Sequence, residues 1–220
     1  MAAKLPDGST VFIASAYAAT KAVTAVTNAE NPVATSTAHG LANGDFVEVT
    51  SGWGGLNGRV FKVESVTADS FKIMGADSTD VAKYPATAGI GSVRKVSAQT
   101  QILQVLEFST SGGEQQFANF SYLEEDFERQ LPTITSAQSL TIAIADDPSL
   151  PGYKAVKAAS DGRKQTALFL NLRDGSVIAY NTIVSLNETP TTTKGQVMQT
   201  SATYSLQRRP ARYEGLSLAS

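Results

Sequence analysis

One histidine and no cysteine in 220 residues leave little from which to build a reactive centre. His39 lies in an Ala-His-Gly stretch with no serine and carboxylate pattern around it, so a Ser-His-Asp relay is not expected and a structural role in a turn is. One His without Cys cannot close a zinc site, and the acids lack calcium-loop spacing. The stretch GWGGLNG at 52–58 misses the third glycine of a phosphate-binding loop and leads into a strand instead of a helix, which predicts a turn. Glu124, Glu125, Asp126 and Glu128 could be imagined as paired acid-base carboxylates, but crowded acids in an expected loop read as plain surface. Trp53 could stack on a sugar ring or cap a small β core. The chain is therefore not expected to be an enzyme or to need a cofactor or metal.

The elements that would position these residues are mostly strands. The run TVFIASAY (10–17) suits one strand, and the residues from 23 to 96 read as a separate small β unit with close-set turn signals. Within it, apolar residues alternate at Phe46, Val47 and Val49 and again at Val60, Phe61 and Val63, with Asn57-Gly58 as a tight turn between them. Further strands are expected over 70–74, 91–96, 101–108 and 139–145. Between the last two lies SGGEQQFANFSYLEEDFERQLPTITS, read as one long loop, too rich in Phe117, Phe120, Tyr122, Leu123 and Phe127 for a solvated linker. Something must cover those rings.

The stretch PGYKAVKAASDG (151–162) is the one good helix, with Asp146 and Asp147 ahead of its N-terminus, Tyr153 and Val156 on one face, and Gly162 as a left-handed cap. Ten or so residues are marginal alone, so this helix must dock on a sheet. A hairpin about Asp174-Gly175 and a last strand with a polar face at Gln199, Ser201, Thr203, Ser205 and Gln207 follow, then a basic arm, RRPARYEGLSLAS.

Charge is sorted along the chain. Residues 98–150 carry eight acids and one base, Arg129, whereas residues 151–220 carry nine bases and four acids. Such asymmetry suits a surface built to meet a copy of itself, although a solvated surface would also carry it. Absence of cysteine suits a reducing compartment, and neither a signal segment nor a membrane span of ~18 apolar residues is expected.

The ordered set SLPGYKAVKAASDGRKQTALFLNLRDGSVIAYNTIVSLNETPTTTKGQVMQTSATYSLQRRP, with FSYLEEDFERQLPT before it, resembles the major tail tube protein of long-tailed bacteriophages over about residues 97–210 plus the first strand. The segment HGLANGDFVEV, with NGRVFKV and DSFKI after it, is similar to a small β module of phage virion proteins. The resemblance implies a mainly β fold of two packed antiparallel sheets with one flanking short helix, formed by 1–22 and 97–220, and an inserted small all-β domain at 23–96 on the tube exterior. It implies a structural virion subunit, assembled in the host bacterial cytoplasm, whose hexameric rings stack head to tail into a tube for double-stranded DNA. Its partners would be itself, the tape measure protein and other tail proteins, with no membrane. Glu107, Glu114, Glu124, Glu125, Asp126 and Glu128 become candidates for lumen or ring contacts, because an acidic wall lets DNA slide. The five apolar loop residues become an inter-ring loop, and Arg208, Arg209 and Arg212 become basic subunit contacts. The rival expectation is a two-module carbohydrate-binding virion or surface protein with Trp53 as its platform.

Overall fold

The computed structural model describes residues 7–215 and is mainly β, with one short helix. In chain order the strands are β1 (Thr10–Tyr17), β2 (Lys21–Val23), β3 (Ala25–Val26), β4 (Val33–Thr35), β5 (Phe46–Ser51), β6 (Arg59–Glu64), β7 (Ser70–Ile73) and β8 (Gly91–Ile102). There follow β9 (Val105–Gly112), β10 (Gln115–Phe120), β11 (Arg129–Thr135), β12 (Gln138–Ala145), the helix α1 (Pro151–Gly162), β13 (Thr166–Asn171), β14 (Val177–Thr191), β15 (Gln199–Leu206) and β16 (Ala211–Tyr213). All but β10 and β11 join one antiparallel path in the order β3-β4-β7-β6-β5-β8-β1-β13-β14-β15-β12-β9, with β2 on β8 and β16 on β14.

Two long strands let this path curl into packed layers. β14 pairs with β13 over residues 177–182 and with β15 over residues 182–191, so it runs out of one layer and into the next. Side chains alternate across a strand, and in the interior they meet from both layers. Val11, Ile13, Ile102 and Leu168 share a core with Leu140, Ile142, Ile144, Val184, Ala202 and Tyr204. The helix closes the flank of that core with Tyr153 and Val156, docked on the sheet as its short length requires. Its start lies so close to β8 that a Cβ on Gly152 would sit 2.4 Å from the Gln101 carbonyl oxygen, so only glycine fits there.

The opposite face of the β1–β13 layer is covered by residues of the 23–96 segment. Phe12, Ala14, Ala167, Phe169, Val177 and Ala179 join Phe46, Val60, Phe61 and Tyr213 in a second core, where the Phe46 and Phe169 rings lie 4.8 Å apart. Three polar anchors fix this packing. Asn181 Nδ2 donates to the Gly58 carbonyl at 2.8 Å, the Lys62 amide donates to Tyr213 Oη at 2.9 Å, and Arg94 lies 4.1 Å over the Tyr17 ring while it bonds Glu48 at 2.7 Å. Phe169 is fully buried in that core. Phe169→Ala should therefore lower stability by about 3–5 kcal/mol, read from urea unfolding, because the rigid β layers cannot collapse into the space it leaves.

Several local expectations are corrected. The run expected as one strand over 101–108 breaks at Leu103-Gln104, where Gln104 takes φ +58, and its halves pair with different neighbours, β1 and β12. The helix passes Gly162 in helical form and ends on Arg163, left-handed at φ +47, whose amide bonds the Ser160 carbonyl at 3.2 Å. Asp147 lies ahead of the helix as expected and also folds the preceding turn by accepting from Ser149 Oγ at 2.6 Å and Ser149 N at 3.0 Å, contacts that hold its carboxyl below the usual range. The turn expected over 52–58 is present, but of Asn57 and Gly58, expected within it as a tight turn with both residues able to take positive φ, only Gly58 is left-handed, at φ +69. The start of the basic arm is not extended into solvent: β16 pairs with β14, burying Ala211 and Tyr213, while residues 216–220 lie outside the described residues.

Candidate functional site

The segment expected as a long loop is a projecting hairpin. Among the described residues β10 and β11 pair only with each other, and most of their residues are exposed. The chain can turn out of β9 because Gly112 takes φ +75, where a Cβ would lie 2.0 Å from the Ala137 carbonyl oxygen. Ser136 Oγ then accepts from the Gly113 and Glu114 amides at 3.1 and 2.9 Å, and its own amide donates to the Glu114 carbonyl at 2.8 Å, so the base is pinned.

The tip is both apolar and acidic. Leu123 is 105% exposed and Phe127 71%, and Phe117, Tyr122, Leu131 and Ile134 are also exposed large apolar residues. Phe120 is half-buried, edge-on to Tyr122 at 5.8 Å, and Arg129 lies over the other ring at 5.6 Å while it pairs with Glu125. Glu124, Asp126 and Glu128 are exposed around them. Four of the six singled-out acids thus meet at this tip, Glu114 sits at the hairpin base, and Glu107 lies elsewhere, on β9.

Glu107 belongs to a second surface. Strand register aligns Ser111, Ser139 and Ser205 in one row, Ser109, Thr141, Thr203 and Ser185 in the next, and Glu107, Ala143, Ser201 and Asn187 in a third. Because Leu140, Ile142, Ile144, Ala202 and Tyr204 point into the core, these rows form the outer face of the β9–β12–β15 layer. The polar face expected on the last strand is present, and it continues over two neighbouring strands. Small hydroxyls cover it, with one acid and no base in these rows. The signal was there in EFSTSG and QSLT as serine and threonine at alternate positions.

The basic residues do not form one patch. Arg212 faces Asp174 at 3.8 Å. Arg209 Nη2 donates to Thr135 Oγ1 at 3.1 Å, beside the hairpin base, and Arg59 donates to the carbonyls of Arg209 and Pro210 at 3.1 and 3.3 Å. Arg59 and Lys83 come from the 23–96 segment and join Arg208 and Arg209 around one cleft. Sequence alone gave no reason to group them, because the four span 150 residues of chain.

The reactive possibilities recede further. His39 is buried, edge-on to Phe71 at 5.3 Å, with Nδ1 accepting from the Leu41 amide at 3.0 Å between left-handed Ala38 and Gly40: a turn residue, as expected. Trp53 is 1% exposed, its Nε1 donating to the Pro85 carbonyl at 2.8 Å and its ring edge-on to Tyr84, so it offers no face to a sugar. This overturns the sugar platform and leaves Trp53 as the cap of a β core. Among the described residues no helix is long and apolar enough to cross a membrane.

The curled sheet holds apolar and acidic side chains out on a hairpin that pairs with no other strand among the described residues. The sequence model of the family described as phage tail tube protein, TTP, matches residues 51–215. The chain belongs to this family: it is a structural tail tube protein of the phage virion and not an enzyme. That match begins at Ser51, inside the segment expected as an insert. A chain of the cryo-EM structure of the anti-feeding prophage (AFP) baseplate, 6-fold symmetrised, is similar over 54% of this chain and 85% of its own, at 9% identity and a TM-score of 0.38. No curated protein matches the sequence.

Proposed function

We propose that six copies of the chain close into a ring, that rings stack head to tail, and that double-stranded DNA passes through the resulting tube. The observation that carries this reading is the hydroxyl-lined face beside the projecting hairpin. DNA is held by cations that release its counterions, and a wall of Ser and Thr with Glu107 offers none. The hairpin supplies the complementary need, a contact surface that stays exposed until another copy covers it. The outer edge of the sheet at β9 would be paired or covered in the same step.

In this reading residues 1–22 and 97–220 form the tube body and residues 23–96 an inserted unit on the exterior. Support comes from the cores: the insert covers the outer face of the β1–β13 layer, and the hydroxyl rows lie on the outer face of the other layer. A curled sheet turns those two faces away from each other. The expected division at 96/97 falls within the unbroken strand β8. Assembly takes place in the host cytoplasm, around the tape measure protein and beside other tail proteins.

Negative-stain electron microscopy tests the proposal. Six-fold rings or tubes are expected, and a chain that remains a monomer at high concentration, even with other tail proteins present, overturns it. Within assembled tails, Thr141→Arg with Thr203→Arg should leave the tube intact and slow DNA release in vitro, most at low salt, by adding cations to the channel wall. Release at the wild-type rate would remove the hydroxyl face from the lumen.

A further inference from the structure

Between the hairpin base, the 207–210 segment and the turn of the 23–96 segment lies a cleft of about 560 Å³. Arg59, Lys83, Arg208 and Arg209 line it. Among the described residues none of these four has a carboxylate within 4.0 Å, whereas Arg94 pairs with Glu48 and Lys95 with Asp45. Arg59 is occupied by backbone carbonyls, including that of Gly55 at 3.2 Å, and so holds the cleft open and positive. Thr135 and Ser136, from the root of the hairpin, form the adjoining wall.

The same chain carries the matching charge at the far end of that hairpin. Glu124, Glu125, Asp126 and Glu128 against Arg129 leave the tip three charges negative, and Leu123 and Phe127 stand beside them in solvent. The six residues of β10, at about 3.3 Å each, carry the tip roughly 20 Å from its own cleft, so it cannot fold back into it. We propose that the cleft receives the acidic hairpin tip of a second copy of this chain. A tip that enters the cleft at the next hairpin's root makes a heterologous contact, which repeats in one direction along a stack. This inference rests on the self-assembly proposed above and adds which surfaces meet.

Charge exchange tests it. Arg208→Glu with Arg209→Glu, and separately Glu124→Lys with Asp126→Lys, should keep the wild-type melting transition. Each should raise the concentration needed for assembly at least about tenfold by sedimentation. Mixing the two variants should restore assembly, because in an alternating stack each native tip meets a native cleft and the substituted positions of the tip meet the substituted positions of the cleft with opposite sign. Wild-type association should also weaken as salt rises from about 0.05 M to about 0.5 M, a check that needs no variant to fold. If the wild type assembles and the cleft variant assembles equally well, the cleft assignment falls while the proposed function stands. The same holds if the mixture fails to recover, if association ignores salt, or if the cleft variant loses duplex-DNA binding instead of assembly. A wild type that never associates overturns both.

Discussion

Replacing Leu123 and Phe127 with serine should leave the chain folded and abolish its self-association. Both side chains stand in solvent at the tip of a hairpin whose two strands pair with no others among the described residues, so the isolated fold gains nothing from them. Each would contribute about 1.5–3 kcal/mol if covered by a neighbour. Losing both at one contact weakens association by roughly 10²- to 10⁴-fold, and a ring-and-stack polymer multiplies that loss over every copy. Sedimentation should show monomer in place of the large particles that the proposed assembly predicts for the wild type, with circular dichroism and melting temperature unchanged. A variant that assembles as before would mean that the hairpin is not the contact. Serine is the informative choice because it keeps the turn polar and leaves the acidic charges in place, separating the apolar part of the contact from the electrostatic part.

The hairpin also marks where the sequence was hardest to read. In β12 apolar side chains at alternate positions, Leu140, Ile142 and Ile144, point to a core and name the strand, whereas β1 is a continuous apolar run, Val11 to Ala14, buried on both faces. QQFANF and RQLPTIT face no core in the single chain, so nothing in their pattern distinguishes a strand from an aromatic loop; their mutual backbone bonds alone make the hairpin. The break at Leu103-Gln104 had no signal either, since glutamine is an uncommon left-handed residue and the apolar run continues on both sides. Where turn chemistry was orthodox, as at Asp174-Gly175 with Gly175 at φ +78, the expected hairpin formed as read. What a buried face packs against was the least legible of all. Phe46 read clearly as core, but that its partners are Phe169 and Tyr213, over 100 residues away, is a property of the curled sheet and not of any local pattern.

Strongly alkaline solution should unfold the chain abruptly, through its tyrosines. Burial pushes Tyr17, Tyr180 and Tyr213 up to about 12 and raises Tyr204 further still, against a usual value near 10. The hydrogen bonds that Tyr17 accepts from Ala167 and Tyr213 from Lys62 oppose the shift without cancelling it. A group whose folded pKa is raised stabilises fully below its unfolded pKa, so stability should be flat up to about pH 10. Between about pH 10 and 12 the unfolded chain has released protons that the folded chain still holds, and stability falls by about 1.4 kcal/mol per pH unit for each tyrosine. Four together exhaust an ordinary stability of about 5–15 kcal/mol within one to three pH units. Tyr204→Phe separates this cause from general base damage. Its hydroxyl is buried with no hydrogen-bond partner among the described residues, so phenylalanine fits the same space, adds about 1 kcal/mol at neutral pH and flattens the alkaline slope by one tyrosine's share. Urea midpoints measured from pH 8 to about pH 11.5 should show the two curves diverge only above pH 10. If they stay parallel, the buried tyrosines are not what couples this fold to alkali.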